Sequence, residues 1–385
     1  MKKILCLSTS NYYPYPTRKQ NIMNRMTDCE IIYIDPAVTY LAPLKDSAAK
    51  AQVYRHKESF VQARENIKVY AQPPILPFYN KYRWINKSNQ SDLARYIHMI
   101  LKENKWDNDF WIWAYSPTAC DLIPALAKEL KLKAKELWNR TVYDCVDRHS
   151  AYPGMINPVV VDRMEEDLAG DSACVFATAE GLYDRLSQFN RNTHLVPNGC
   201  NFELFNKTAS LEKTETKTVL GFVGVVQECT DMEVLIETAK AFPFATIRFI
   251  GKKLPGVDTS ALEKLPNVEF RGLVPQEELP EHIKEFDLCL NVFADNELSK
   301  DVSPLKFYEY LATGKPVVST PMPKQVQEYA DCIYIAHSPA EFVEKCKEAL
   351  SEEDDDPKRA ARIAAAKRCS WDERVREIRG ILGWE

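Results

Sequence analysis

The sequence predicts an α/β protein built from two doubly wound, mostly parallel sheets. Length, the alternation of short apolar runs with helical patterns, and one polar interruption between two series of such runs carry that prediction. At 385 residues the chain is longer than the roughly 250–300 residues at which a single core stops growing. With 45% hydrophobic and 27% charged residues, it has the balance of an ordinary globular enzyme.

The first series of β-rich runs comprises Lys3–Ser8, Glu30–Asp35, Ile67–Ala71, Phe110–Tyr115, Thr141–Val146, Ala173–Thr178 and His194–Val196. The second comprises Val219–Val223, Thr246–Ile250, Val268–Arg271, Leu288–Val292, Pro316–Thr320 and Ile333–Ala336. Near-continuous apolar strands alternating with helices imply parallel sheets covered on both faces. Between the series lies Asn206-Lys-Thr-Ala-Ser-Leu-Glu-Lys-Thr-Glu-Thr-Lys217, polar and aperiodic, which reads as an interdomain linker. Ligands of such sheets bind beyond the carboxyl ends of the strands, so an interdomain cleft is the expected site.

Composition removes several function classes. A net charge of −5 gives no electrostatic argument for nucleic-acid binding. No apolar run approaches the roughly 20 residues of a membrane helix, and the apolar stretch after Met1-Lys-Lys3 is too short for a signal peptide. The 11 cysteines include no C-x-x-C pair and the six histidines are dispersed, so no zinc pattern forms. Buried, reduced thiols in a cytoplasmic protein are expected. The acidic run Ser351-Glu-Glu-Asp-Asp-Asp-Pro357 reads as a solvated turn.

One first-lobe segment is less ordinary. Pro73-Pro-Ile-Leu-Pro-Phe-Tyr-Asn-Lys-Tyr-Arg-Trp-Ile-Asn-Lys87 mixes aromatics with Lys81, Arg83 and Lys87. It reads either as a proline-rich loop leading into a helix near 91–103, or as an acceptor-binding or membrane-surface patch at the inner face of the membrane.

The stretch richest in chemistry is Asn296-Glu-Leu-Ser-Lys-Asp-Val-Ser-Pro-Leu-Lys-Phe-Tyr-Glu-Tyr-Leu-Ala-Thr-Gly-Lys-Pro316. Ser303 suits an N-cap, Pro304 the first helical position, and Gly314 with Pro316 the stop. Lys306 then falls in the first turn, where the helix dipole disfavours a cation unless it shares a bound anion with the free backbone N–H groups. Glu309 lies three residues on, on the same face, where a carboxylate accepts hydrogen bonds from a vicinal diol. The pair suits a diphosphate joined to a ribose; the plain alternative is a solvated Lys306–Glu309 pair on an amphipathic helix.

Residues 303–320 resemble the donor-binding segment of bacterial GT-B glycosyltransferases of the large retaining family four, especially its teichuronic-acid and exopolysaccharide-type members. Further segments match that group in order. They are Val142-Tyr-Asp-Cys-Val-Asp-Arg-His-Ser-Ala-Tyr-Pro-Gly154, Val175-Phe-Ala-Thr-Ala179, Leu195-Val-Pro-Asn-Gly-Cys-Asn-Phe-Glu-Leu-Phe205, Gly221-Phe-Val-Gly224 and Ser370-Trp371. The resemblance implies a GT-B fold of two Rossmann-like lobes: an acceptor-binding lobe over 1–200 and a nucleotide-sugar lobe over 201–369. A last helix over 370–385 crosses back onto the first lobe. It makes Glu309 the ribose ligand, and Lys306 with the helix start at Ser303 the diphosphate clamp. Gly224 lets backbone approach the phosphates.

The family's paired glutamates stand eight positions apart; here the position eight before Glu309 is Asp301, one methylene shorter, and Glu297 is the other candidate for the sugar hydroxyls. After Gly224, where relatives carry a basic residue, this chain has Glu228 and Cys229. Lys252 either compensates or is an ordinary loop lysine.

In the first lobe, Asp144, Asp147 and His149 follow a predicted strand, where a carboxylate or imidazole can orient the acceptor hydroxyl or take its proton. Asp147 and His149 are the leading candidates; the alternative is that Asp144 or Asp147 caps the following loop. Arg18 and Lys19, after the first strand, face either an anionic acceptor and the donor phosphates or solvent. Asp107-Asn-Asp109 matches the D-x-D metal signature in form only; it precedes a strand and reads as a turn.

The expected activity is transfer of a sugar from a UDP- or GDP-sugar to a glycan or lipid-linked acceptor in cell-surface polysaccharide biosynthesis, with retention. The nucleotide-sugar is the substrate; no cofactor and no metal are expected. Two alternatives stand beside it: a sugar-nucleotide epimerase of the same architecture, and an inactive binding subunit of a polysaccharide-assembly complex.

Overall fold

Runs such as Ile-Leu-Cys-Leu and Thr-Val-Tyr-Asp-Cys sit with both faces covered, as β-branched and aromatic residues do in the middle of a parallel sheet. The computed structural model describes residues 1–45, 49–152, 154–353 and 355–384. Pro153 of the 142–154 motif, Asp354 of the acidic run and Glu385 at the end of the last helix lie outside the described residues.

The chain forms two units, Met1–Val196 and Pro197–Glu385. The first holds β1 (Lys2–Leu7), β2 (Cys29–Asp35), β3 (Val61–Arg64), β4 (Ile67–Ala71), β5 (Trp111–Ala114), β6 (Thr141–Cys145), β7 (Cys174–Ala177) and β8 (Thr193–Leu195). They are ordered β3-β4-β2-β1-β5-β6-β7-β8. All neighbours are parallel except β3 with β4. Ile4 pairs with Ile31 on one side and Trp111 on the other, which places β1 in the centre and the carboxyl ends of β1, β2, β4, β5 and β6 along one edge. Strand β3 was absent from the sequence reading. Its residues are mostly exposed, so no apolar run announces this antiparallel edge.

The second unit holds β9 (Val219–Val223), β10 (Thr246–Ile250), β11 (Val268–Phe270), β12 (Leu288–Asn291), β13 (Val317–Ser319) and β14 (Tyr334–Ile335). They form one parallel sheet in the order β11-β10-β9-β12-β13-β14. Two cores cover its faces. One is built on Leu220, Phe222, Leu235, Ile247 and Leu290. The other is built on Phe205, Phe286, Phe307, Leu311 and Val317. The end of β9 is tied to the helix Leu305–Thr313 by Val223 N–H donating to the Tyr310 hydroxyl (2.5 Å).

Helix starts follow their local chemistry. Asn157 accepts from Val159 N–H ahead of Pro158, Asp231 accepts from Val234 N–H, and Ser370 accepts from Glu373 N–H. Each satisfies an orphan donor. Gly314 ends the helix Leu305–Thr313 at φ 72°, a left-handed conformation that favours glycine.

Two organisational readings need correction. The segment 206–217 is not a linker between units, since the boundary falls at Val196/Pro197. Within the second unit, Thr214 and Glu215 N–H groups donate to the Glu285 carboxylate, and Glu215 takes both guanidinium nitrogens of Arg248. Polar composition here reflects paired surface chemistry rather than a free tether. The helix expected near 91–103 begins at Arg83, so 83–87 are helical and the loop ends at Tyr82. The last helix, Trp371–Leu382, is joined to the start of the second unit through Trp371 N–H donating to Cys200 C=O. All 11 cysteines are buried free thiols.

Candidate functional site

The helix Leu305–Thr313 is buried at every position from Lys306 onward, so it carries a lysine and a glutamate into the interior. No side chain caps its start; of the first-turn N–H groups, that of Phe307 donates to the Pro304 carbonyl at 3.2 Å, and the positive end of the dipole faces the same turn. Lys306 is 9% exposed. Its ammonium sits 3.5 Å from the centroid of the Phe222 ring and 4.9 Å from that of Phe293, a cation–π geometry. Burial pushes its pKa down to about 7, with the Cys229 thiol pulling the other way. Among the described residues no carboxylate is ion-paired with it.

Glu309, 6% exposed, lies one turn deeper, roughly 4.5 Å along the axis. Gln276 Nε2 donates to its Oε1 at 2.9 Å, and burial raises its pKa to about 7. The solvated-pair alternative therefore fails: both groups are buried, and no ion pair joins them. Desolvated, oppositely charged groups left unpaired at one helix end are costly in the free protein and become useful when a ligand supplies the missing partners.

Two glycines shape the adjoining turn. Gly224, directly after β9, has φ +126°, and a Cβ there would stand 3.5 Å from Lys306 Cδ. Gly251, after β10, has φ +143°, and its Cβ would fall 2.0 Å from the carbonyl oxygen of Gly224. The two turns pack backbone on backbone, which only glycine allows.

The remaining predicted donor residues distribute unevenly. Ser303 does not cap the helix. The helix begins at Leu305 with Pro304 at the N-cap, while the Ser303 hydroxyl accepts from Asn198 N–H (3.0 Å) and its carbonyl from Asn198 Nδ2 (2.7 Å). Proline at that position sets an extended backbone just before the helix, and the serine one residue earlier turns to the segment around Asn198 of the same chain. Asp301 is buried behind the short helix Glu297–Lys300; Glu297 is exposed and paired with Lys300. Lys252 is exposed and shares the Gly224 turn through its carbonyl, which accepts from Val226 N–H at 3.0 Å. Cys229 is buried beside Phe293 and Met322. Sequence reasoning missed Gln276, Gly251 and the two aromatic walls Phe222 and Phe293.

In the first unit, Arg18 is 2% exposed and its Nε donates to both Asp144 oxygens, at 2.9 and 3.1 Å. Trp113 Nε1 donates to Asp144 as well, at 3.2 Å. The reading of Arg18 as an anion-facing cation gives way to a buried internal ion pair, and Asp144 is its counterion rather than a loop cap. Lys19 is buried with its ammonium 5.2 Å from the Tyr115 ring centroid. Burial lowers its pKa, with Asp147 and then Asp144 pulling back.

Asp147 is half-buried and accepts from the Tyr152 hydroxyl at 2.8 Å. His149 Nε2 lies 3.0 Å from the Tyr115 carbonyl oxygen. A carbonyl only accepts, so the proton sits on Nε2 and Nδ1 keeps its lone pair. Burial lowers the His149 pKa, which favours that neutral form. Of the segment 73–87, Ile75, Tyr79 and Asn80 line a cavity together with His149, Arg83 is held by Asp121 and Asp167, and Tyr82 and Trp84 are exposed. Asp107 and Asp109 form a turn, Asp109 N–H donating to Asp107 Oδ1, and pair with Lys3 and Arg140.

Known proteins resemble this chain in sequence and in fold. A family model described as Glycosyl transferase-like matches residues 230–380. The Bacillus subtilis protein TuaH, assigned as a teichuronic acid biosynthesis glycosyltransferase, is 27% identical over 317 residues, covering 74% of this chain and 80% of that protein. Among solved structures, Anabaena HepE in complex with UDP and glucose superposes with a TM-score of 0.65 at 14% identity, over the whole of both chains. An E. coli trehalose-6-phosphate structure bound with UDP-2-fluoro glucose gives 0.71 at 11% identity, over 99% of each. The chain has the GT-B fold of two parallel-sheet units, and the glycosyl transferase-like match falls on the unit that carries Lys306 and Glu309.

Proposed function

We propose that the second unit binds a nucleotide diphosphate-sugar and that the sugar passes, with retention of anomeric configuration, to a glycan or lipid-linked acceptor held by the first unit. On this reading Lys306 and the first-turn N–H groups take the diphosphate, Gly224 clears its path, and Glu309 grips the ribose. The carrying observation is a buried ammonium that has no ion-paired carboxylate among the described residues, at a helix start with no side-chain cap. An anion placed there is stabilised by a pre-aligned dipole and cation, and the same groups stabilise charge on the departing diphosphate. UDP is the first nucleotide to test, since HepE and the E. coli protein bind UDP or its sugar conjugate, and a role in cell-surface polysaccharide synthesis follows the assignment of TuaH.

His149 Nδ1 and Asp147 are the groups that hold or orient the acceptor hydroxyl. Because Lys306 supplies positive charge to the diphosphate, transfer proceeds without a metal ion, and EDTA leaves the rate unchanged. The direct test is a thermal-shift series with UDP, GDP, ADP and CMP, followed by calorimetry of Lys306→Ala and Glu309→Ala. Affinities unchanged in both variants would remove this donor site.

A further inference from the structure

A cavity of about 280 Å³ lies at the carboxyl ends of β1, β2, β4 and β5 within the first unit. It is at the lower end of ligand-site volumes, which run from roughly 300 to 1,000 Å³, so it suits one ring rather than a chain of them. Its lining contains no Asp, Glu, Lys or Arg. Of the nearby charges, Asp35 is paired with Arg55 and Asp121 with Arg83, while Asp147 and Lys19, outside the lining, act on His149 with opposite sign. Carbon surface comes from Leu7, Ile34, Ile75, Leu93 and Leu122.

Against that floor stand neutral polar groups. The Thr9 hydroxyl and the side-chain amides of Gln72 and Asn80 make no protein hydrogen bond among the described residues, and all three line the cavity. Gln90 is buried and spends its Nε2 on Asn86 (3.2 Å), leaving its Oε1 to accept. His149 presents Nδ1, its Nε2 being committed to the Tyr115 carbonyl. The Tyr152 ring, edge-on to His149 at 5.5 Å, also lines the cavity.

We infer that this cavity binds the terminal sugar of the acceptor as a neutral pyranose, read through hydroxyl hydrogen bonds and a carbon face, and that it rejects phosphorylated or carboxylated sugars. Hydroxyls both donate and accept, so they match amide and imidazole partners of either sense. A buried anion would find no cation among the lining residues to contact and would lose its hydration without a direct partner. The inference rests on the glycosyl-transfer reading for its biological meaning, but its test does not.

Ligand-observed NMR titrations of the full chain would use the methyl glycosides of glucose, galactose, mannose and N-acetylglucosamine alongside the corresponding 6-phosphates. At least one neutral glycoside is expected to bind, with its 6-phosphate at least about tenfold weaker. Asn80→Ala and Gln90→Leu, checked for unchanged melting behaviour, should each weaken the neutral sugar about five- to tenfold. Asn80→Ala guards against Gln90→Leu failing to fold, because the Asn80 amide holds no other residue. Octyl glycosides separate the two sources of such a sugar: equal binding with methyl glycosides supports a free glycan end, and tighter binding supports a lipid-linked one. Equal or stronger binding of the phosphates, no binding by any neutral glycoside, or neutral binding untouched by both variants would overturn the inference. Nucleotide affinity measured on the same proteins keeps the readings apart, since failure of the donor site leaves these sugar titrations interpretable.

Discussion

Both units bury cations, and Arg18 in the first and Lys306 in the second have opposite circumstances. Arg18 in the first unit is closed on Asp144, whose second donor is Trp113. Lys306 in the second unit lies against two aromatic rings and has no ion-paired carboxylate among the described residues. Burying a charge costs several kcal/mol unless a partner compensates. For Arg18 the chain itself supplies that partner; for Lys306 the proposed donor would supply it. An internally paired buried charge reads as structure, and one without an ion pair at a helix start is the basis of the donor site proposed above. That contrast separates two residues which sequence alone named as candidates for anion contact, Lys306 as the diphosphate clamp and Arg18 as one of two alternatives.

The largest effect should come from breaking the paired cation. Asp144→Ala strands Arg18 and should cost about 3–5 kcal/mol of stability in urea titrations. Lys306→Met should instead raise stability, on the order of 1–3 kcal/mol from removed desolvation, while weakening nucleotide-sugar affinity about 100-fold through loss of a charge-assisted contact. A destabilised Lys306→Met protein with normal donor affinity would erase the contrast.

Next in size is pH dependence. Lys306 has a folded pKa lowered to about 7, so its penalty is full below that value and is relieved as pH rises toward the ordinary lysine range. Glu309 has a folded pKa raised to about 7, so its penalty is full above that value and is relieved as pH falls toward the ordinary carboxylate range. Donor binding needs the protonated amine and the ionised carboxylate, so affinity should fall on both sides of neutrality, by up to about tenfold per pH unit. Lys306→Arg should flatten the alkaline limb, which calorimetry across buffers would read.

Smaller still, Glu309→Gln keeps a polar group near the ribose and should weaken nucleotide binding about tenfold. Among the turn glycines, Gly251→Ala should destabilise more than Gly224→Ala, because its Cβ meets backbone at 2.0 Å whereas the other meets a lysine methylene at 3.5 Å. Thermal melts decide that order. Lys252→Ala, exposed and ahead of no buried group, should change affinity by no more than about threefold.

Strand identity, the parallel class of both sheets and the Lys306–Glu309 spacing are properties of local sequence. An apolar run of five residues or a three-residue helical offset fixes its consequence without help from the rest of the chain, and β4, β9 and β10 run between the residues named from sequence. What local sequence leaves open is which partner a polar side chain finds. Asp144 joining Arg18 spans 126 positions and Gln276 joining Glu309 spans 33. The exposed edge strand β3 and the polar stretch 206–217, held by Glu285 and Arg248, carry no local signature either. Whether a buried charge is satisfied depends on chain segments brought together only by packing, so the sequence named the lysine and the tertiary structure decided that it stands without a carboxylate.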